Sequence, residues 1–191
     1  AAHFVAGSSH AGPQVVTWRT DLSDTSTCQV ILVDQVVVNP EYANSAHDSA
    51  LLPLSTPTTA PAIQLSSVSD DDLEAAGTQV TVAGWGDRLP TLGLFATSQL
   101  ASTTLDVVSD SNCSTTNFGL DGPTAVCASR LLTDSCQGDS GGPLWAVKAG
   151  RKIQIGIVSY GTSCALPEFP GVYSEVNNPQ IRGWISTVSN V

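Results

Sequence analysis

The segment DSCQGDSGGPLW, residues 134–145, decides between fold classes for this chain. Within it, Gly138, Ser140 and Gly142 form the pattern G-x-S-x-G, in which a sharp turn exposes a serine hydroxyl. A serine hydroxyl is a poor nucleophile at neutral pH, so a neighbouring imidazole must remove its proton. The fold class therefore depends on where the histidines stand relative to Ser140.

Every histidine of the chain precedes that serine. There are three of them, His3, His10 and His47. An α/β-hydrolase built on the G-x-S-x-G turn carries its catalytic histidine after the serine. That interpretation is therefore excluded, and the chain order His, Asp, Ser remains.

The composition narrows the possible functions further. Charged residues make up 13% of the 191 residues, and 17 acidic against 7 basic residues give a net charge of −10. The basic residues form no cluster, so nucleic-acid binding is not expected. The sequence holds no run of about eighteen apolar residues, so it predicts no membrane span.

Short runs rich in Val, Ile and Thr predict an all-β fold. They are separated by Gly, Pro, Asn and Asp, which favour turns. The predicted strands are Gln14–Arg19, Gln29–Val38, Ser49–Leu54, Gln79–Trp85, Leu100–Val108, Leu144–Lys148, Ile153–Tyr160 and Gly171–Val176. Their spacing is typical of a β-barrel or a β-sandwich.

One helix and one linker complete the predicted organisation. Asn178 is a suitable cap for a helix over residues 178–190, Pro179 suits its first position, and apolar residues at 181, 184, 185 and 188 share one face. Residues 55–69 contain two prolines among Thr, Ala and Ser, which indicates a linker between two halves, 1–54 and 70–177.

Four further motifs resemble a single family. They are AAH at 1–3, DSALLPL at 48–54, SYG at 159–161 and PGVY at 170–173, and VAGWG at 82–86 adds a family-like strand end. Together with GDSGGP, and in their order along the chain, they are similar to motifs of the chymotrypsin/trypsin-like serine proteases. The resemblance covers the whole chain and implies two antiparallel Greek-key β-barrels followed by a C-terminal helix, with residues 1–54 as the remnant of an incomplete first barrel.

The resemblance also implies a catalytic triad. His3 would be the general base, Asp48 the carboxylate that orients it, and Ser140 the nucleophile. The backbone N–H groups of Gly138 and Ser140 would form the oxyanion hole. No cofactor and no metal ion is expected.

The other two histidines are weaker candidates for the base. His47 is adjacent to Asp48 on a predicted strand, where neighbouring side chains face opposite sides. His10 lies in a Gly/Ser-rich turn and is expected to be solvated.

By the same resemblance, Asp134 forms the floor of a pocket for a substrate side chain. A buried carboxylate without a partner is unfavourable, so such a pocket favours Arg or Lys. The alternative is that Asp134 is an exposed loop acid. The remaining substrate-binding positions are Ser135, Gln137, Ser159, Tyr160, Gly161 and Gly171.

Two residues near this pocket depart from the family pattern. Ser163 stands where trypsins usually carry glycine, so it is expected to narrow the entrance or to alter the preference for Arg or Lys. Tyr160 replaces the common tryptophan, which is a mild change because the family uses this strand mainly through its backbone.

Five cysteines, at 28, 113, 127, 136 and 164, form no C-x-x-C pair for zinc or redox chemistry. Disulfides in an oxidising compartment are the better interpretation, which predicts a secreted protein. The resemblance pairs Cys136 with Cys164 and Cys113 with Cys127. Phe4 replaces the family's cysteine after the catalytic histidine, so Cys28 is expected to be free or paired outside this chain.

Family members carry further residues before the Ala-Ala-His motif, so this chain is expected to be a fragment of a longer protease. Those residues supply early strands of the first barrel and an amino-terminal ammonium that pairs with the acid before the nucleophile, here Asp139. Without that partner, activity of the chain alone is expected to be low.

The sequence therefore predicts a monomeric endopeptidase, without cofactor, that acts on protein or peptide substrates and is a possible target of protein inhibitors. Two alternatives stay open. One is a non-catalytic homologue or inert fragment that acts as a binding scaffold, and the other is a regulatory protease with a narrow choice of target.

Overall fold

A computed structural model of the chain describes residues 1–7, 12–26, 28–88, 97–116, 124–166 and 168–189. His10 lies outside the described residues, so its solvated position stays a prediction. The strands are β1 (Gln14–Thr17), β2 (Gln29–Leu32), β3 (Val37–Val38), β4 (Ala50–Leu51), β5 (Gln64–Leu65), β6 (Gln79–Gly84), β7 (Ala101–Val108), β8 (Ala125–Ser129), β9 (Pro143–Lys148), β10 (Arg151–Tyr160) and β11 (Gly171–Glu175). The helices are α1 (Ala2–Val5), a 3₁₀ helix (Val68–Glu74), α2 (Asp110–Thr116) and α3 (Pro179–Ser189).

The second half of the chain folds into a closed barrel. Its strands lie in the order β11-β8-β7-β6-β9-β10-β5, and an additional pairing of β10 with β11 closes the sheet on itself. All these pairings are antiparallel except that of β5, which lies parallel to β10. The predicted all-β class and the second barrel are thereby confirmed.

Alternating side chains fill this barrel. Val80 and Val82 of β6 face inward, as do Leu105 and Val107 of β7, and in each strand the residue between them is more exposed. This period of two is that of a strand with one buried face. The cluster continues with Leu144, Ile153, Ile155 and Tyr173, all at most 2% exposed.

The first half is more open. Two antiparallel pairs, β1 with β2 and β3 with β4, stand apart from the barrel sheet. Val16 and Val30 are opposite each other in the first pair, and both are exposed, whereas Ile31 is buried. Within the described residues these two pairs do not close into a barrel.

Two predicted strands are shorter than expected. The run Gln29–Val38 divides into β2 and β3, and Ser49–Leu54 is reduced to β4 with an isolated bridge between Val33 and Leu54. The polar residues Asp34 and Gln35 interrupt the apolar run, and Pro53 has no N–H for a ladder hydrogen bond. The backbone N–H of Asp34 instead donates to the Pro53 carbonyl at 2.9 Å.

The linker over 55–69 also needs correction. Its residues Gln64 and Leu65 form β5 and pair with Ile153 and Gln154 of the barrel, respectively, so the second unit begins within the predicted linker. The sequence interpretation also missed β8 and α2. The first is Ala/Cys/Ser-rich and the second has a polar sequence, DSNCSTT, without apolar periodicity, so neither carries a clear pattern.

The C-terminal helix is confirmed. The side-chain oxygen of Asn178 accepts hydrogen bonds from the backbone N–H of Gln180 at 3.0 Å and of Ile181 at 3.2 Å, as a helix cap does. Ile181 and Ile185 are buried on one face. No described helix has the length and apolarity needed to cross a membrane.

Both predicted disulfides are present, Cys113–Cys127 and Cys136–Cys164. Cys28 is the free cysteine among the described residues. The second bridge ties the nucleophile loop to the segment after β10, which forms the opposite side of the pocket described below.

Candidate active site

His3 and Asp48 meet although 45 residues separate them in the chain. The ring Nδ1 of His3 lies 2.6 Å from Asp48 Oδ2, and the backbone N–H of His3 donates to Oδ1 at 2.8 Å. His3 lies in α1 with a half-exposed side chain, whereas Asp48 is fully buried. Because a carboxylate only accepts, the hydrogen bond places a hydrogen on Nδ1, and in the neutral ring Nε2 is then the acceptor nitrogen.

A third group completes the surroundings of the carboxylate. The hydroxyl of Ser159 donates to Asp48 Oδ2 at 2.5 Å. Burial alone would raise the pKa of Asp48, but the hydrogen bonds from Ser159 and His3 outweigh it and hold the pKa below its ordinary value. Asp48 is therefore a buried carboxylate that stays ionised.

Ser159 lines the pocket, as the sequence predicts, but it also has a contact that the sequence interpretation missed. Its hydroxyl donates to Asp48. Nothing in the local sequence of β10 indicates that this side chain faces a residue 111 positions earlier.

His47 lies next to Asp48 but has other partners. Its Nε2 is 2.9 Å from Gln180 Oε1 and 3.3 Å from Glu41 Oε2. The expected reason, alternation along a strand, is wrong, because His47 precedes β4 and has a left-handed backbone with a φ of 51°.

The nucleophile loop turns sharply at two glycines. Gly138 and Gly141 have φ values of 95° and 84°, which side chains rarely adopt. The loop is tied by backbone hydrogen bonds from Asp139 to Cys136 and from Gly142 to Asp139, and Gly141 donates to Val158 of β10 at 2.9 Å. These bonds place Ser140 at the edge of the pocket.

Asp139 anchors this loop to the end of β6. Its carboxylate accepts the N–H of Gly86 at 2.8 Å and of Cys136 at 2.9 Å. A Cβ on Gly84 would lie 1.9 Å from Asp139 Oδ1, and one on Gly86 would lie 2.6 Å from its Cγ. The motif VAGWG was noted only as a resemblance, and its two glycines are needed to seat this carboxylate.

A pocket of about 170 Å³ opens beside Ser140. Seven of its lining residues are the predicted substrate-binding set, Asp134, Ser135, Gln137, Ser159, Tyr160, Gly161 and Gly171, and the lining also includes Ser163. The structure thus brings together every residue that the sequence assigned to the pocket.

The Asp134 carboxylate stands in this pocket with partial hydrogen bonding. It accepts the backbone N–H of Ser135 at 2.8 Å and of Ala165 at 3.2 Å. Burial raises the pKa of Asp134 to about 6, against the effect of these two hydrogen bonds and with a further contribution from the negative charge of Asp139. The exposed loop acid considered as the alternative does not describe this side chain.

Two neighbours shape the space around Asp134. A Cβ on Gly171 would lie 2.9 Å from Asp134 Oδ1. The hydroxyls of Ser135 and Tyr173 lie 3.0 Å apart, and Tyr173 is fully buried. Burial and the nearby Asp134 charge raise the pKa of Tyr173, so its hydroxyl stays neutral and polar.

A second cavity of about 220 Å³ lies on the other side of the loop. Its walls combine apolar residues of β6 and β7 with the carboxylates of Asp87, Asp134 and Asp139, and Arg88. Among the described residues, Asp139 accepts from backbone N–H groups and pairs with no cationic side chain. The described residues contain no group of three His, Cys, Asp or Glu placed to hold a metal ion.

Comparisons with known proteins show the family of this chain. The Trypsin family model matches residues 1–185, so the chain belongs to the trypsin family of serine proteases. It is 38% identical to a trypsin of Saccharopolyspora erythraea over 181 residues, which cover 92% of this chain and 76% of that protein.

Two further relatives match at similar levels. A trypsin-like protease of Streptomyces glaucescens is 35% identical over 93% of this chain and 66% of its own length, and Hypodermin-B of Hypoderma lineatum is 37% identical over 73% and 53%. The matched region is thus only about half to three quarters of these relatives' lengths.

Proposed function

We propose that the protein is a secreted serine endopeptidase that hydrolyses peptide bonds after Arg or Lys. The observation that carries the proposal is the contact of His3 with the buried carboxylate of Asp48, beside a pocket that holds Ser140 at its edge and Asp134 in its wall. Membership of the trypsin family supports the same chemistry.

In the proposed reaction, Nε2 of His3 takes the proton of the Ser140 hydroxyl while its oxygen attacks the substrate carbonyl carbon. The negative charge moves to the carbonyl oxygen, which the N–H groups of Gly138 and Ser140 stabilise. The tetrahedral intermediate collapses as the C–N bond breaks and His3 returns the proton to the leaving amine. Asp48 stabilises the imidazolium in between.

The second half repeats these steps with water. His3 removes a proton from a water molecule, whose oxygen attacks the acyl-enzyme ester. The C–O bond to Ser140 then breaks, and the proton on His3 returns to the serine oxygen. Atoms and protons balance within the protein, the peptide and water.

Specificity follows from the charge of Asp134. The carboxylate is partly buried and keeps unused acceptor capacity, because its donors among the described residues are two backbone N–H groups. A substrate guanidinium or ammonium would satisfy that capacity and replace lost hydration. We infer that Gly161 and Gly171 leave room for a long side chain and that Ser163 modifies the choice between Arg and Lys.

The compartment and the partners follow from the same chemistry. Two disulfides persist in an oxidising environment, which supports secretion. We propose that the substrates are proteins or peptides, that protein inhibitors bind the same pocket, and that the enzyme is a monomer.

The test compares hydrolysis of an Arg ester and a Phe ester by the protein in its full natural chain. We expect the Arg ester to be strongly preferred and Ser140→Ala to abolish hydrolysis of both. Equal activity of Ser140→Ala would remove the serine from its role, and a preference for Phe would remove Asp134 from recognition.

The alternative is a catalytically inert binding scaffold that uses the same pocket around Asp134. A scaffold would bind an arginine-containing peptide but turn over neither ester. Measured binding by both wild type and Ser140→Ala, with no hydrolysis by either, would establish it.

A further inference from the structure

The loop that leads into Asp48 is tightly wound. Residues 39–49 connect β3 to β4, and the chain closes on itself where the N–H of Asn39 donates to the Ser49 carbonyl at 3.0 Å. The Asn39 side-chain amide also donates to the Ser49 hydroxyl at 3.1 Å, and both residues are buried. These two bonds hold Ser49, the residue after Asp48, to Asn39 at the start of the loop.

The loop contains an unusual concentration of left-handed residues. Asn44, Ser45 and His47 have φ values of 50°, 70° and 51°. The first two form a tight turn in which Ala43 and Ala46 exchange backbone hydrogen bonds, and Asn and Ser suit such a turn. His47 lies outside that turn, and the free-energy cost of its left-handed backbone must be offset by contacts of the folded chain.

The side chain of His47 contacts the C-terminal helix α3 and Glu41 of its own loop. Its side chain is 12% exposed, and Nε2 faces two oxygens, Gln180 Oε1 at 2.9 Å and Glu41 Oε2 at 3.3 Å. Both are acceptors, so Nε2 donates its hydrogen to them. Gln180 is itself held in the first turn of α3, because its N–H is capped by Asn178.

The backbone of His47 is coupled to the carboxylate that follows it. Its carbonyl accepts the N–H of Ser49 at 2.6 Å, which bends the chain tightly around Asp48. The backbone conformation of His47 and that of Asp48 are therefore coupled through this hydrogen bond. The distance of 2.6 Å between Asp48 and His3 leaves little freedom for a rotation of Asp48.

We propose that His47 is a positioning residue whose left-handed backbone and contact with Gln180 make the C-terminal helix α3 set the orientation of Asp48 toward His3. The inference rests on the proposed function, because it concerns the triad of that reaction. Glu41 contributes less, because its contact with His47 is longer, 3.3 Å against 2.9 Å for Gln180.

The test separates the backbone from the side-chain contact. His47→Gly keeps the left-handed backbone and loses the contact, Gln180→Ala removes the partner alone, and His47→Val opposes the backbone as well. We expect His47→Gly and Gln180→Ala each to lower kcat about three- to tenfold with KM unchanged, and His47→Val to lower it further. The double variant His47→Gly/Gln180→Ala should be no worse than either single one.

A spectroscopic readout distinguishes positioning from general support of the fold. The low-field proton resonance of His3 Nδ1–H reports its hydrogen bond to Asp48, and we expect it to shift in His47→Gly and Gln180→Ala. Thr187→Ala, an exposed change on the same helix, is the matched control and should leave kcat and the resonance unchanged.

Unchanged kcat and resonance in both His47→Gly and Gln180→Ala would overturn the inference, as would additive losses in the double variant. Failure of the proposed function has a different signature. In that case the wild type hydrolyses no ester, while the resonance still measures how His47 positions Asp48.

Discussion

At the scale of single residues, the balance between burial and donated hydrogen bonds sets the pKa of each carboxylate of the site. Asp48 and Asp134 are both carboxylates on irregular segments, but their pKa values move in opposite directions. Three donated hydrogen bonds lower the pKa of Asp48, whereas burial raises that of Asp134 to about 6. Asp48 is therefore ionised at neutral pH, whereas Asp134 titrates close to neutrality.

This difference predicts how substrate binding depends on pH. A cationic side chain needs ionised Asp134, so KM for an Arg ester should rise as the pH falls from 7 to 5 through the pKa of about 6. KM for a Phe ester should not follow this change. Asp134→Asn should have a high KM for the Arg ester that no longer varies in this range, and a KM that still follows pH in this variant would assign the titration to another group.

Gly171 offers a steric test of the same pocket. A Cβ would lie 2.9 Å from Asp134 Oδ1, closer than real Cβ contacts, so Gly171→Ala should displace the carboxylate and raise KM for the Arg ester about tenfold or more. Gly183→Ala is the matched control, because nothing lies within 4 Å of its Cβ and it should leave KM unchanged. Equal KM values for wild type and Gly171→Ala would show that the carboxylate has room to move.

At the scale of elements, the nucleophile loop depends on the end of β6. Asp139 accepts the N–H groups of Gly86 and Cys136, and so joins the loop to the strand by one carboxylate. The proposed oxyanion donors, Gly138 and Ser140, stand on either side of Asp139 in the chain. The position of the proposed oxyanion hole therefore depends on the contact between the nucleophile loop and the end of β6.

Asp139→Asn tests this contact. In asparagine, one of the two oxygens that accept these N–H groups is replaced by an N–H₂ group. One of the two hydrogen bonds is therefore replaced by repulsion between two donors. We expect kcat to fall about a hundredfold through loss of oxyanion stabilisation, with the near-UV circular dichroism of the fold preserved. Asp87→Asn is an adjacent control expected to keep kcat, and a similar loss in both variants would indicate a general effect of charge.

At the scale of the whole molecule, a group of acids lies between the 3₁₀ helix and β11. Burial and the negative charges of Glu175, Asp71 and Asp110 raise the pKa of Glu74 to about 8. Burial, with Asp110 and Asp71, raises the pKa of Glu175 to about 7. Their ordinary value is 4.5, so the folded chain binds more protons than the unfolded one between pH 4.5 and 8.

The free energy of unfolding should therefore fall as the pH rises from 5 to 8. These raised pKa values contribute stability that is fully present below 4.5 and lost as the pH passes 7 and 8. Glu74→Gln should raise Tm at pH 8 by about 5 °C and leave it nearly unchanged at pH 5. Glu168→Gln, an exposed control, should follow the wild type, and a Tm of Glu74→Gln that parallels the wild type at both pH values would contradict the assignment.

Much of this organisation could be predicted from the chain. The strands with Val- and Ile-rich alternation, such as β6 and β7, the amphipathic α3, and the two disulfides lie where they were expected. Local pattern failed for β8, α2 and β5. Those segments consist mainly of small or polar residues, so their own sequence has no clear periodicity. Their backbone conformation is determined by neighbours in space.

The sequence by itself determined which residue types are available and in which order, from His3 through Asp48 to Ser140, because the absence of a downstream histidine excludes the other fold class. Only the tertiary structure decided that Ser159 serves Asp48, that Gly84 and Gly86 seat Asp139, and that His47 turns to the C-terminal helix. These contacts join residues that are 53 to 133 positions apart. The local propensity of a segment carries no information on contacts between residues so far apart in the chain. Packing of the folded chain brings these residues together, and it also sets the burial that shifts the pKa of each carboxylate.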